Sequence, residues 1–170
     1  MDSGLERSIQ DLEVMVLIIR PFKIEDFKQV AKLWKTFMSD PSASDLHILS
    51  NDSNVKNWRR FVTETYAEDK NQVLVVEIEK TIVGYIIFFV HTRTGLRTRY
   101  SWATIYDIYV HSDFRSRGIA TKLIERCLQY LKSKNVTHIR LTVWVNNKMA
   151  RKLYQRFGFE DYMIIMQKTL

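Results

Sequence analysis

One run in the second half of the chain, residues 105–124, constrains the fold more than any other. It opens with IYDIYV, a largely apolar segment that predicts a β-strand from Ile105 to Val110. A short polar turn follows, and an amphipathic helix begins directly after it. The start of a helix presents unpaired backbone N–H groups and the positive end of the helix dipole. A strand, a turn and a helix in this order therefore predict a site for an anion, most often a phosphate.

The turn carries residues that suit such a site. Arg115 and Arg117 add positive charge, which matches phosphate oxygens. Gly118 allows the backbone to approach a ligand closely, and Ala120 keeps a nearby position small. Because short glycine motifs also occur by chance, an ordinary turn with solvated arginines is the alternative interpretation.

A second segment, residues 147–159, reads NKMARKLYQRFGF and follows a predicted strand. Together the two segments resemble the acetyl-CoA motifs of the GCN5-related N-acetyltransferases, the GNAT superfamily. The first motif of that family is Arg/Gln-x-x-Gly-x-Gly/Ala, and it is matched by Arg115, Gly118 and Ala120. The second is Asn-x-x-Ala-x-x-Leu-Tyr-x-x-x-Gly-Phe, and its matches are Asn147, Ala150, Leu153, Tyr154, Gly158 and Phe159. The resemblance covers roughly residues 16–168 and is clearest over 104–160.

The resemblance implies an α/β (α+β) GNAT fold. Such a fold has a mixed, mostly antiparallel sheet of six or seven strands, about four helices on both faces, and a V-shaped splay between two central parallel strands. We expect one domain over residues 15–170, preceded by a helical or disordered extension over 1–14. Strands are predicted at 15–22, 73–79, 82–91, 102–110, 137–145 and 159–168, and helices at 24–38, 52–68, 118–132 and 147–157.

Composition limits the possible partners and the compartment. The net charge of +7 favours anionic partners, but no base-reading motif is present, so nucleic acid is an unlikely partner. The longest apolar run, Ile82 to Val90, is too short to span a membrane. The single cysteine, Cys127, cannot form an internal disulfide, which predicts a cytoplasmic protein and a core position for this thiol. No metal is expected, because the four histidines lack metal-ligand spacing.

The resemblance also implies which residues hold acetyl-CoA. The backbone of Ile108, Tyr109 and Val110 is expected to pair with pantetheine as an added strand, and an N–H near Val110 to polarise the acetyl oxygen. Asn147 is expected either to hydrogen-bond CoA or to cap its own helix. The full set of expected CoA-binding residues around the turn and the next motif is Arg115, Ser116, Arg117, Gly118, Ile119, Ala120, Thr121, Asn147 and Ala150.

For catalysis, Tyr154 occupies the position of the family's general acid, and a phenol is protonated at neutral pH. The general base stays open. Relatives that acetylate polyamines have Glu-Asp in the central strand, whereas this chain has Tyr106-Asp107. Strand alternation predicts that Tyr106 shares a face with Thr104 and Ile108, with Asp107 opposite. The candidates for moving the proton are Asp107, Tyr106, Glu77 and a water chain.

The acceptor is also left open. A protein or peptide N-terminus or lysine is favoured over a polyamine, diamine or amino acid, because Arg93, Arg97 and Arg99 suit an acidic peptide better than a polycation. Aromatic residues near the loop between the first two helices could line the acceptor site, although Trp34, Trp58 and Phe61 are mainly expected in the core. Two further alternatives are a non-catalytic CoA sensor and a nucleic-acid binder. A homodimer is possible, since relatives are often dimers.

Overall fold

A computed structural model describes residues 16–40, 51–94, 99–166 and 168 of the chain. The predicted extension over residues 1–14 and the loop residues 41–50 lie outside the described residues. So does Arg97, together with the side chains of Arg93 and Arg99, so the expectation about these three arginines remains a prediction.

The described residues form one five-stranded sheet whose strands lie side by side in chain order. The first three strand pairs are antiparallel and the last pair is parallel. This arrangement confirms a mixed, mostly antiparallel sheet. The strands are β1 (Leu17–Pro21), β2 (Val73–Ile78), β3 (Thr81–Thr94), β4 (Arg99–Val110) and β5 (His138–Leu141). The α-helices are α1 (Phe27–Met38), α2 (Asp52–Glu68), α3 (Ile119–Ser133) and α4 (Lys148–Arg156).

The hairpin between β2 and β3 turns at Glu79 and Lys80, one residue earlier than the sequence indicated. Both residues have left-handed backbone angles, with φ of 48° and 64°. Two left-handed residues in a two-residue loop match the right-handed twist of the flanking strands. The turn therefore sets the register in which β3 runs beside β2.

Each face of the sheet carries its own apolar core, as predicted. On one face, α1 and α2 bury Trp34, Trp58 and Val62 against β2, β3 and β4. On the other face, α3 buries Leu123 and Cys127. Apolar residues at helical spacing make each of these helices one-sided, so each packs by that face alone.

The predicted sixth or seventh strand is absent from the described residues. Residues 159–166 are not in a strand, and the apolar run from Tyr162 to Met166 is exposed. Two side-chain contacts link the start of this segment to the rest of the chain: Arg151 pairs with Asp161 at 2.8 Å, and Arg140 lies over the Tyr162 ring. The neighbouring strand β5 has only four residues, which offers few hydrogen bonds to a further strand.

Strand β5 is also shorter than the predicted 137–145. It pairs with β4 only from Trp102, opposite His138, to Ile105, opposite Leu141. At that point β4 has a β-bulge: Phe88 pairs with Ile105 and Ile87 pairs with Asp107, which leaves Tyr106 as an extra residue. A bulge bends its strand and interrupts pairing. The two parallel strands separate directly after it, as the expected splay requires.

Candidate active site

Beyond the bulge, β4 continues to Val110 with no strand beside it on the β5 side among the described strands. Its side chains are nevertheless anchored. Ile108 and Val110 pack in the core under α3, while Tyr109 packs under α1, where its ring lies 5.6 Å from that of Phe37. The side chains therefore hold this stretch in place and leave one backbone edge for an extended ligand. This is the stretch predicted to pair with pantetheine.

The turn between β4 and α3 contains two residues in the left-handed region, Ser116 with φ of 62° and Gly118 with φ of 73°. Gly118 is the N-cap of α3, and no side chain caps the helix. A Cβ built on Gly118 would meet nothing within 4 Å. The left-handed backbone angle by itself favours glycine at this position, and the close approach of a ligand to this backbone remains a prediction. Because Gly118 has no side chain to cap the helix, the first N–H groups are not satisfied by an N-cap side chain.

The two arginines of the turn are held in place by neighbouring groups. The Arg115 Nε atom donates a hydrogen bond to the Val110 carbonyl at 3.0 Å, and its guanidinium lies over the Tyr109 ring. The Arg117 guanidinium lies over the ring of Phe114. Arg115 therefore joins the turn to the end of β4, and both positive charges stay beside the helix start.

We expect the Gly118→Asp substitution to weaken acetyl-CoA binding by about 10- to 100-fold, with a loss of thermal stability no larger than that of Gly118→Asn, because both side chains must adopt the left-handed backbone angle. A carboxylate beside a phosphate repels it by about 2–3 kcal/mol in a half-solvated site, whereas the same carboxylate is favourable at the start of a helix. Asparagine has the same shape and also tolerates left-handed angles. Isothermal titration of acetyl-CoA should therefore show a much smaller loss for Gly118→Asn. Equal losses in the two variants would contradict an anion site here.

The second motif places Asn147 at the start of α4 and Tyr154 in its last turns. The Asn147 side-chain oxygen accepts a hydrogen bond from the Ala150 backbone N–H at 3.1 Å, so the structure contains the helix cap. A contact of either residue with CoA remains a prediction. The Tyr154 side chain is buried, with 8% of its surface exposed. Burial, reinforced by the nearby charge of Asp107, raises the pKa of Tyr154 to about 12. The phenol is therefore protonated at neutral pH.

The bulge overturns the predicted alternation around Tyr106. Ile108 packs in the core under α3, whereas Tyr106 contacts Phe61 of α2, with the ring centres 4.6 Å apart. Asp107 accepts a hydrogen bond from the Trp58 Nε1 atom, which belongs to the same helix. Tyr106 and Asp107 therefore both face α2, because the bulge places two successive residues on one side.

Asp107 is the titratable group whose surroundings best suit a base. Only 7% of its surface is exposed, and the Trp58 indole donates to its Oδ2 atom at 3.3 Å. Burial raises the pKa of Asp107 to about 7, and the hydrogen bond from Trp58 opposes that rise. A base works best with a pKa near the working pH.

The two other side chains considered as the base are less suitable. Burial and the charge of Asp107 raise the pKa of Tyr106, so its hydroxyl keeps its proton at neutral pH. Glu77 lies on β2, two strands from β4, and its carboxylate accepts a hydrogen bond from the Arg20 Nε atom at 2.6 Å. Among the three side chains, Asp107 is therefore the one whose surroundings suit a proton acceptor.

Trp58 is a functional candidate that the sequence placed simply in the core. Its ring is stacked on that of Trp34 at 5.2 Å and meets the edge of Tyr85, so the indole is fixed. A buried tryptophan needs a partner for its N–H group. That need was the available signal, but it did not indicate that the partner is Asp107, which lies 49 residues further along the chain.

The described part of the chain contains no cluster of three or more metal-binding side chains. Within the same residues, no helix is long and apolar enough to cross a membrane. The site consists of protein side chains, a free backbone edge and a helix start.

Comparison with known proteins agrees with this geometry. Residues 30–159 match the sequence model of the Acetyltransferase (GNAT) family. An uncharacterized N-acetyltransferase from Methanocaldococcus jannaschii is 32% identical over 111 residues, which cover 65% of this chain and 49% of that protein. The chain thus spans about half the length of this relative.

Two solved structures share the fold. One is a predicted acetyltransferase with acetyl-CoA from Clostridium acetobutylicum, with a TM-score of 0.70, 20% identity, and coverage of 91% of this chain and 96% of that chain. The other is glucosamine-6-phosphate N-acetyltransferase from Arabidopsis thaliana, with a TM-score of 0.67, 21% identity, and coverage of 91% and 98%. At these identities the likeness establishes the fold.

Proposed function

This chain belongs to the GNAT family of acetyltransferases, and on that premise we propose that it transfers an acetyl group from acetyl-CoA to a primary amine. One observation carries the proposal: the two parallel strands part after Ile105, which leaves a free backbone edge of β4 that leads into the uncapped start of α3 at Gly118. We assign the role of proton acceptor to Asp107, two residues beyond the last β4 residue that pairs with β5, and the role of proton donor to the buried Tyr154.

The residues present fit acetyl-CoA, which supplies an activated acetyl thioester when bound. The uncapped start of α3, with open space above Gly118, suits the pyrophosphate. The free edge of β4 from Ile108 to Val110 suits the amides of pantetheine. Arg115 and Arg117 add the charge that phosphates require.

Asp107 and Tyr154 then divide the proton transfers. The Asp107 carboxylate accepts a proton from the acceptor's ammonium group, which leaves the neutral amine that can attack a carbonyl carbon. As the carbon–sulfur bond breaks, the Tyr154 hydroxyl donates its proton to the departing sulfur. The proton that the nitrogen loses on forming the amide replaces the one that Tyr154 gave. Asp107 releases its own proton to solvent, which completes the balance.

As the acceptor we propose a protein or peptide, through its N-terminus or a lysine, in the cytoplasm. The support is the charge of the β3–β4 ribbon, because the sequence from Thr81 to Tyr106 contains no aspartate or glutamate but three arginines. A polyamine would need several carboxylates on the protein to pair with its ammonium groups. An acidic peptide instead carries carboxylates that can pair with these arginines. A small amine such as the amino sugar phosphate of the Arabidopsis thaliana enzyme is the second candidate, since the family does not fix the acceptor.

The dependence of kcat on pH tests the role of Asp107. Its pKa is raised to about 7, and only the deprotonated carboxylate can accept a proton. We therefore expect kcat to be low at about pH 6, to rise through a midpoint near pH 7, and to level off by about pH 8. Measuring kcat at saturating acceptor reports the ionisation of the bound complex. A profile without this rise, in an enzyme that turns over, would exclude Asp107 as the base.

The activity itself is tested by thiol release from acetyl-CoA, with peptides, polyamines, amino acids and glucosamine 6-phosphate as acceptors. Turnover of peptides supports the proposal in full. Turnover of small amines alone supports acetyl transfer and rejects the peptide acceptor. Tight binding of acetyl-CoA with no turnover on any acceptor favours a CoA sensor. Salt-dependent DNA binding that competes with CoA would favour a nucleic-acid binder.

A further inference from the structure

An exposed aromatic surface lies directly beside the candidate base. Tyr106 exposes 56% of its surface although it stands on two other rings. Its ring centre lies 4.6 Å from that of Phe61 on α2 and 5.8 Å from that of Phe89 on β3. Phe61 and Phe89 also contact each other edge to face. These three rings, which we call the aromatic platform, contact one another and form an aromatic surface on which Tyr106 is the exposed member.

The aromatic platform and Asp107 lie on the same side of the sheet as a consequence of the bulge. With normal alternation, successive residues of a strand point to opposite faces, and Tyr106 would be separated from the carboxyl group. Instead Tyr106 is the immediate neighbour of Asp107 and faces the same helix, α2. An amine bound at Asp107 therefore places the group attached to its nitrogen next to Tyr106.

Aromatic rings continue along the sheet beside the platform. Beyond Phe89, the ring of His91 is stacked on that of Trp102 at 4.9 Å. The ribbon that carries these rings contains no acidic residue between Thr81 and Tyr106. Rings hold apolar groups by area and by ring contacts. A small polar side chain gains little from such a surface, because it has little apolar area to bury.

We propose that the aromatic platform is the acceptor-specificity site, and that Tyr106 selects amines whose neighbouring group is apolar or aromatic. For a peptide N-terminus, this means an apolar first residue such as leucine, methionine or phenylalanine. Small or polar first residues are disfavoured. This inference rests on the proposed acetyl transfer and specifies its acceptor.

The test uses the full chain, acetyl-CoA and a set of peptides that differ only in the first residue. The measured quantity is the ratio of kcat/KM for a phenylalanine-first peptide to that for a serine-first peptide. An apolar contact of this size gives a ratio of about tenfold or more. Tyr106→Ala is expected to reduce the ratio to within about twofold of unity, because the exposed ring is lost.

Two matched variants separate the ring from other effects. Tyr106→Phe keeps the ring and removes the hydroxyl, so its ratio should stay close to the wild-type value. Tyr162→Ala removes an exposed tyrosine from the C-terminal segment, and its ratio should also stay unchanged. Thermal melting of all three variants verifies that they are folded.

The possible outcomes decide between the two proposals. A wild-type ratio near unity, or a ratio that Tyr106→Ala does not change, overturns the specificity site while acetyl transfer stands. Faster acetylation of spermidine or glucosamine 6-phosphate than of any peptide also overturns it. A large loss of the ratio in Tyr106→Phe would show that the hydroxyl, and not the ring, recognises the acceptor, which overturns the apolar selection. Absence of turnover on every acceptor would instead reject the proposed function itself.

Discussion

Replacement of Asp107 by asparagine is expected to lower kcat by about 100-fold or more while leaving the protein at least as stable as before. The loss of activity follows because an amide cannot accept a proton at neutral pH. The stability expectation follows from the pKa of Asp107, which burial raises from 3.8 in the unfolded chain to about 7. The asparagine side chain would still offer an oxygen to the Trp58 N–H group.

The sign of the stability effect can be derived from these two pKa values. Below about pH 4 the carboxyl group is protonated in both states and contributes no difference. Between about pH 4 and pH 7 the unfolded chain ionises more readily than the folded one, so the folded state loses stability as pH rises. Above the pKa of the folded state, the loss in the free energy of unfolding has reached its full size, which is at most about 4 kcal/mol. Asparagine removes this cost, although its buried amide group needs a partner of its own.

The Asp107→Asn experiment combines steady-state kinetics with thermal melting at about pH 5 and pH 8. We expect the variant to gain stability relative to wild type at the higher pH. Asp161→Asn removes the same charge from an exposed position next to Arg151, and should change kcat by less than about twofold. Near-normal kcat in Asp107→Asn would indicate that a water chain, and not Asp107, accepts the proton.

Tyr154→Phe is expected to lower kcat by about 100- to 10,000-fold with little change in the affinity for acetyl-CoA. Without the hydroxyl, the sulfur must leave as a thiolate in a largely buried site, where an unpaired charge is costly. The ring remains, and with it the contact to Phe159 at 5.9 Å, so the fold should be preserved.

Thiol release in single turnovers measures the Tyr154→Phe effect, and calorimetric titration gives the acetyl-CoA affinity. Tyr162→Phe removes a hydroxyl from an exposed tyrosine and serves as the control. A loss of affinity as large as the loss of kcat would indicate that Tyr154 binds the cosubstrate and does not act as the acid.

The parts of the site that the sequence predicted are those determined by short stretches of chain. The turn from Arg115 to Gly118 follows from a strand, a glycine and an amphipathic helix in succession. The Asn147 cap likewise involves a residue only three positions away, Ala150. Local hydrogen bonds and backbone angles decide such features, so a linear pattern reports them well.

The parts that the sequence did not predict depend on neighbours distant in the chain. The bulge at Tyr106 arises from the register between β3 and β4, which alternation along one strand does not reveal. The same bulge explains why β5 ends at Leu141 instead of Val145. The pKa of Asp107 depends on burial by α2 and on Trp58, and neither is encoded near Asp107.

Because of the extra residue in β4, the side chain proposed to select the acceptor, Tyr106, is a different one from the side chain proposed to accept the proton, Asp107, and it contributes little to the fold. Tyr106 stands outside the β3–β4 register and is largely exposed, so changing its side chain keeps the strand register and removes contacts to Phe61 and Phe89 at the edge of the core. Asp107, the next residue, stays buried and keeps its partner. Acceptor preference in this chain can therefore change during evolution, or be redesigned, by substitution of Tyr106 alone. Such a change costs little stability and leaves the reaction mechanism intact.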